Sequence, residues 1–119
     1  MTPAALLTEA RALVDRGPVG VWPRAAALCA RRALEEALDQ LWRARAPGLE
    51  RATTRAQLIS LRAYLNDADL AGDTAFTYAV LSGACHHHDY ELTPTATELH
   101  TRFAVLDRLI ARVDHLAPG

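Results

Sequence analysis

Residues 94–113 read PTATELHTRFAVLDRLIARV, and in this stretch Leu99, Phe103, Leu106, Ile110 and Val113 step by four, three, four and three residues. That spacing repeats the 3.6-residue turn of an α-helix, so all five side chains fall on one face. Thr93 precedes Pro94, a residue suited to a first helical turn, and Thr95-x-x-Glu98 offers a capping box. The pattern predicts a helix from Pro94, with an apolar stripe that suits either a bundle core or a seam between subunits.

The rest of the chain repeats that logic. Thr2 can cap a helix from Pro3 to Arg16, which Gly17-Pro18 stops. Leu6, Ala10, Leu13 and Val14 form its stripe. A second helix opens at Pro23 and continues to about Ala46, before Pro47-Gly48. Ala27, Leu34, Leu38 and Leu41 hold its apolar face, with Ala30 and Ala37. A third begins at Thr53 or Thr54, where Thr54-x-x-Gln57 reads as a box, carries Leu58, Leu61 and Leu65 inward, and ends near Asn66. After a turn through Asp67 to Asp73, a fourth runs from Thr74 to His87 or His88. Asp73 caps it, and Phe76, Val80, Leu81, Ala84 and Cys85 are its apolar residues. No segment shows strand-type alternation or an internal repeat. The expectation is an all-α, up-and-down bundle of about five helices, one domain over residues 1–119.

Composition agrees. Of the 119 residues, 50% are apolar and only 6% aromatic, so the core must be built from Leu, Ala and Val. Ala and Leu are strong helix formers, whereas strands draw on β-branched and aromatic residues. The net charge of -1 gives no global attraction to nucleic acid or to an anionic membrane. Its distribution is uneven. Residues 1–60 carry nine Arg against six acidic residues, and residues 61–119 carry four against eight. Every basic side chain is Arg, which excludes Schiff-base chemistry, a phosphate-loop Lys and a Lys base. Two cysteines, Cys29 and Cys85, make no disulfide framework and read as small core fillers. No opening stretch resembles a secretion signal, and no run approaches the ~20 apolar residues of a membrane span. The expectation is a cytoplasmic protein with reduced thiols and no membrane association.

Chemistry concentrates in Cys85-His86-His87-His88-Asp89-Tyr90-Glu91, at the end of the fourth helix. Adjacent helical residues are rotated by ~100°, so three consecutive histidines cannot converge on one ion. No metal site and no cofactor are expected. Histidines here also suit a helix C-terminus, where imidazolium meets the negative end of the macrodipole, with Tyr90 as a lid over the bundle end. A Cys85–His86 nucleophilic pair is disfavoured because neighbours on a helix diverge. Arg31, Arg32, Arg43 and Arg45, with Arg24, Arg51 and Arg55 nearby, are the only place for RNA phosphates to settle, or else a solvated face paired with Glu35, Glu36 and Asp39. Trp22 is expected at a bundle end and Trp42 on a partner surface.

His88-Asp89-Tyr90 and the helix Arg31-Arg32-Ala33-Leu34-Glu35-Glu36-Ala37-Leu38, in this helix order, resemble the HEPN (higher eukaryotes and prokaryotes nucleotide-binding) superfamily over about residues 22–116. The resemblance implies a small helical bundle, often homodimeric, of which many members are ribonucleases of toxin, antiviral or RNA-processing systems. Their motif is Arg, four to six residues, His, extended in one toxin subgroup to Arg-x4-His-x-Tyr. An acidic residue on the core helix commonly lies near the active His. Here Gly83 stands five residues before His88, where the motif places Arg. Cleavage through the 2′-hydroxyl needs an acid or base of near-neutral pKa, which His88 supplies, and a cation against the phosphorane charge, which Gly83 does not.

The expectation is therefore an impaired or non-catalytic HEPN-like homodimeric module of a bacterial defence, stress or RNA-associated system. One alternative is a metal-independent endoribonuclease using His88 and Tyr90, with Arg31 or Arg32 replacing the missing cation. A helical adaptor binding another polypeptide is the other.

Overall fold

The computed structural model describes residues 1–16, 22–86 and 94–118, and of Trp22 the backbone alone. These residues form five α-helices: α1 (Pro3–Arg16), α2 (Trp22–Arg45), α3 (Thr54–Leu65), α4 (Ala68–Cys85) and α5 (Ala96–Leu116). One 3-10 turn (Leu49–Arg51) lies between α2 and α3, and there is no strand among the described residues. The all-α reading holds.

α2 is the central helix, packed on α1, α4 and α5. Its Ala26, Ala27, Ala30, Ala33 and Ala37 are fully buried. Small side chains let neighbouring helices come close, while Leu34, Leu38, Leu41 and Trp42 supply volume. Leu99, Phe103, Leu106 and Val113 of α5 complete that core, joined by Val105 and Leu109, with Ile110 at its margin. The α5 stripe thus belongs to the core and not to a subunit seam. Each fully buried Leu or Phe contributes about 1.5–3 kcal/mol by leaving water.

Polar pairs give the helix directions. Arg11 bonds Asp107 while Asp15 bonds His100, and Asp73 bonds Arg108 while Thr77 accepts from Arg102. In both sets residue numbers rise on one helix as they fall on the other, so α1 and α4 each run antiparallel to α5.

Several expectations are corrected, and α5 begins at Ala96 behind its cap Thr95 and not at Pro94. α4 begins six residues earlier than the sequence suggested, because Asp67 is its cap and accepts from the Leu70 N–H at 3.0 Å. Asp73 instead bonds Arg108 at 3.0 Å. α3 is capped by Thr53, which accepts from Ala56 N–H at 3.2 Å, so no Thr54–Gln57 box forms. Trp42, expected on a partner surface, is wholly buried, and Phe76, expected in the core, is 60% exposed. Thr74 and Thr77 take the inward positions of α4.

Candidate functional site

α2 presents its charges on two faces. Arg32, Glu36, Asp39 and Arg43 recur at helical spacing on one side and Arg24 and Arg31 on the other, while Glu35 stands between them, lining the first hollow and lying within electrostatic reach of Cys85. The neighbours of each face decide what it can bind.

The first face lines an open hollow of about 350 Å³ between α2 and α3, with Arg32, Glu35, Glu36, Asp39 and Glu50 around it. Burial, and then the nearby Glu36 carboxylate, push the Asp39 carboxyl above its ordinary value. Glu50 is held below its own by backbone N–H groups, its own and that of Gly48, from which Oε2 accepts at 2.9 Å. Arg32 pairs with Glu36 at 3.3 Å. Four carboxylates against one guanidinium make this a poor seat for a polyanion, and Arg32 is already engaged there.

The second face points toward the C-terminal turn of α4. Burial raises the Cys85 thiol above its ordinary value, the guanidinium groups of Arg31 and Arg24 act against that rise, and Glu35 adds to it. Two cations and one carboxylate of α2 therefore lie within electrostatic reach of Cys85. That same turn ends at His86, the exposed C-cap residue. Burial that raises the Cys85 thiol makes it a poor nucleophile, which argues against a Cys85–His86 pair. The Nε atom of Arg31 is buried and has no hydrogen-bond partner among the described residues, and neither has Ser82 Oγ, one turn back on α4. A buried N–H of a charged group without an acceptor is costly, and native folds keep few of them.

Of the residues singled out in the sequence, Arg24 and Arg31 both lie within electrostatic reach of Cys85, while Arg32 belongs to the acidic hollow. Arg43 and Arg45 sit at the opposite end of the 24-residue helix, where Arg45 Nε donates to the Leu116 carbonyl at 3.0 Å. Arg24 and Arg45 are separated by about 30 Å at 1.5 Å per residue, so the five arginines form no single patch. His88 and Tyr90, with His87, Asp89 and Glu91, lie outside the described residues, as do the loop at 17–21 and the Trp22 side chain. No cluster of three or more metal-ligating side chains occurs among the described residues. No described helix is long and apolar enough to cross a membrane.

Sequence reasoning named every member of this second face without separating it from the first. The signal was available: Arg24 and Arg31 are seven residues apart, two helical turns, whereas Arg32 is rotated away by ~100°. Glu50 was missed as a wall of the acidic hollow because it follows the Pro47-Gly48 turn and reaches α2 only through the fold. No family model matches the chain, and neither a curated protein nor a solved structure with significant similarity to it was found.

Proposed function

We propose that the chain is a HEPN-like helical module that binds RNA at the bundle end where Arg24, Arg31 and Glu35 meet the last turn of α4, without cleaving it. The observation that carries the reading is that Arg31 Nε is buried with no hydrogen-bond partner among the described residues, and that Arg31 and Arg24 lie within electrostatic reach of Cys85, in the turn that precedes His86-His87-His88-Asp89-Tyr90. Guanidinium is suited to phosphate, its N–H fork matching two oxygens at once. Stacking of Tyr90 and the imidazoles on unpaired bases would add to that charge contact. Glu35 takes the place of the acidic residue that the family carries on its core helix.

Binding without cleavage follows from Gly83. The position five residues before His88, where the motif places a cation, is a glycine without a side chain. An RNA ligand sets the work of the protein in the cytoplasm, and the defence or stress setting follows from the family resemblance.

Fluorescence anisotropy with a short single-stranded RNA, across a salt series, tests the binding. Arg31→Ala is expected to weaken it about tenfold and to lower the salt slope by about 1, the signature of one lost phosphate contact. Absence of binding by folded wild-type protein overturns the reading. Incubation with total RNA in chelator, beside His88→Ala, tests the second half. Cleavage present in wild type and lost in the variant would replace a binding module with a metal-independent nuclease. The specific observation in favour of that rival is the presence of Arg31 and Glu35, a cation and a base, on one face.

A further inference from the structure

We propose that the groove between α3 and α4 docks an acidic amphipathic helix of another polypeptide. The inference is independent of RNA binding, because it concerns the side of α3 opposite Gln57, the residue that bonds Trp42 of α2.

α3 ends at Asn66, in the left-handed region at φ 53°, and Asp67 at once caps α4, so the two helices form a tight hairpin with a groove between them. Leu58 and Ile59 of α3 and Ala75 and Tyr78 of α4 line a hollow of about 380 Å³ there. Ile59 is 71% exposed, whereas Leu61 and Leu65 on the same helix are wholly buried. A large apolar side chain standing in water beside an apolar hollow is surface that its own fold leaves uncovered.

The charges around the groove select the occupant. α3 carries two arginines and no carboxylate. Arg55 is the one charged residue among those lining the hollow. Arg55, Ile59 and Arg62 step by four and three residues and are all exposed, so the apolar side chain stands between two guanidinium groups on one face. None of the ion pairs among the described residues includes Arg55 or Arg62, although Arg11, Arg32 and Arg108 each meet a carboxylate. Toward α2 the sign reverses, because the hollow on that side of α3 is walled by Glu35, Glu36, Asp39 and Glu50. A segment with carboxylates beside its apolar residues is therefore attracted to one side of α3 and repelled from the other.

A helix is the form that fits. The groove of a helical hairpin takes a third helix as a bundle does, with apolar residues at i, i+3, i+4 and i+7 laid along it. Arg55 and Arg62 lie about 10 Å apart along α3 at 1.5 Å per residue, so two carboxylates seven residues apart on the incoming helix meet both. A strand has no sheet edge to join among the described residues. A single helix in one groove covers less than the ~800 Å² per partner of a standard interface, which makes the complex a transient one.

The probe is a fluorescein-labelled synthetic helix with Leu at i, i+3, i+4 and i+7 and Glu on both flanks, read by fluorescence anisotropy up to high micromolar concentration. Wild type is expected to bind it. Ile59→Glu, at an exposed position that should leave helical circular dichroism unchanged, is expected to weaken binding about tenfold or more. Arg55→Glu combined with Arg62→Glu should lose the acidic helix and bind a matched helix with Lys for Glu more tightly than wild type does, an exchange that nonspecific apolar adhesion does not produce. Arg31→Ala should leave peptide affinity unchanged, so this proposal and the RNA reading fail separately. No binding of the acidic helix by wild type, or affinity unchanged in either α3 variant, overturns the proposal. So does loss of RNA binding in Ile59→Glu, which assigns the groove to RNA, and so does a wild-type dimer in light scattering that Ile59→Glu dissociates, which assigns it to a second copy.

Discussion

At the C-terminal end of α2, Trp42 is wholly buried and its indole N–H donates to Gln57 Oε1 at 2.9 Å, while Gln57 Nε2 donates to the carbonyls of Ala52 at 3.0 Å and Glu50 at 3.3 Å. Toward the N-terminal end of the same helix, Arg31 buries its Nε with no partner among the described residues, within electrostatic reach of Cys85, whose thiol burial raises. The first arrangement is complete inside the chain. The second is completed only by something outside the described residues. Buried polar groups in a settled core are mostly paired, with Thr74 Oγ1 in mid-α4 a further exception among the described residues, and under the proposed RNA reading the Arg31 exception is where a ligand would bind. Stability should therefore be concentrated at the Trp42 end and binding at the Arg31 end, and substitutions along α2 separate the two.

The largest effect is expected from Trp42→Ala. It removes the biggest fully buried side chain, its edge-to-face contact with Tyr64 at 5.4 Å and its bond to Gln57. A loss of about 3–5 kcal/mol in denaturant unfolding is expected, with a cavity left behind. A loss under about 1 kcal/mol would mean that this end of α2 is no better packed than the other.

Gln57→Leu comes next. The change keeps the volume roughly constant but leaves the indole N–H and two carbonyls without their partner, and about 1–3 kcal/mol should be lost in the same assay. Combining it with Trp42→Phe removes the indole donor too, so the double variant should fall short of the summed losses. Strict additivity would show that the hydrogen bond adds nothing to the packing.

A smaller effect distinguishes the two acidic residues at the start of α4. Asp67→Ala should cost about 1 kcal/mol, the usual contribution of a helix N-cap. Asp73→Ala, which breaks a half-exposed pair with Arg108, should cost a few tenths. Equal losses would contradict the observed helix start.

That pair also shows what the sequence made legible and what it did not. The amphipathic helices α2 and α5 were readable because each has one apolar face against one polar face, so periodicity alone oriented Leu34, Leu38, Leu99 and Phe103. α4 defeated the same method. Its apolar residues run all round, so period alone could not tell Phe76 from Thr77, and Gly72 concealed a helix that starts at Ala68. The burial of Trp42 was hidden for another reason: its polar partner, Gln57, is fifteen residues away on a different helix. At the candidate site, the individual arginines were visible, but which of them meet α4 depended on the packing angle of two helices, which local spacing does not carry.

The smallest expected change in stability is the most informative. Arg31→Met retains the apolar stem and deletes a guanidinium whose Nε is buried and has no partner among the described residues, so unfolding free energy should stay within about 0.5 kcal/mol of wild type or rise slightly. RNA affinity at low salt should nevertheless fall by about tenfold, the loss expected for one phosphate contact. A residue held for the fold would show the reverse, a loss of stability with binding changed only in proportion to the folded fraction. If Arg31→Met lowers stability by about 2 kcal/mol or more, the guanidinium has a structural partner and both ends of α2 are closed, because deleting one side of a satisfied buried pair is the change that folds tolerate least.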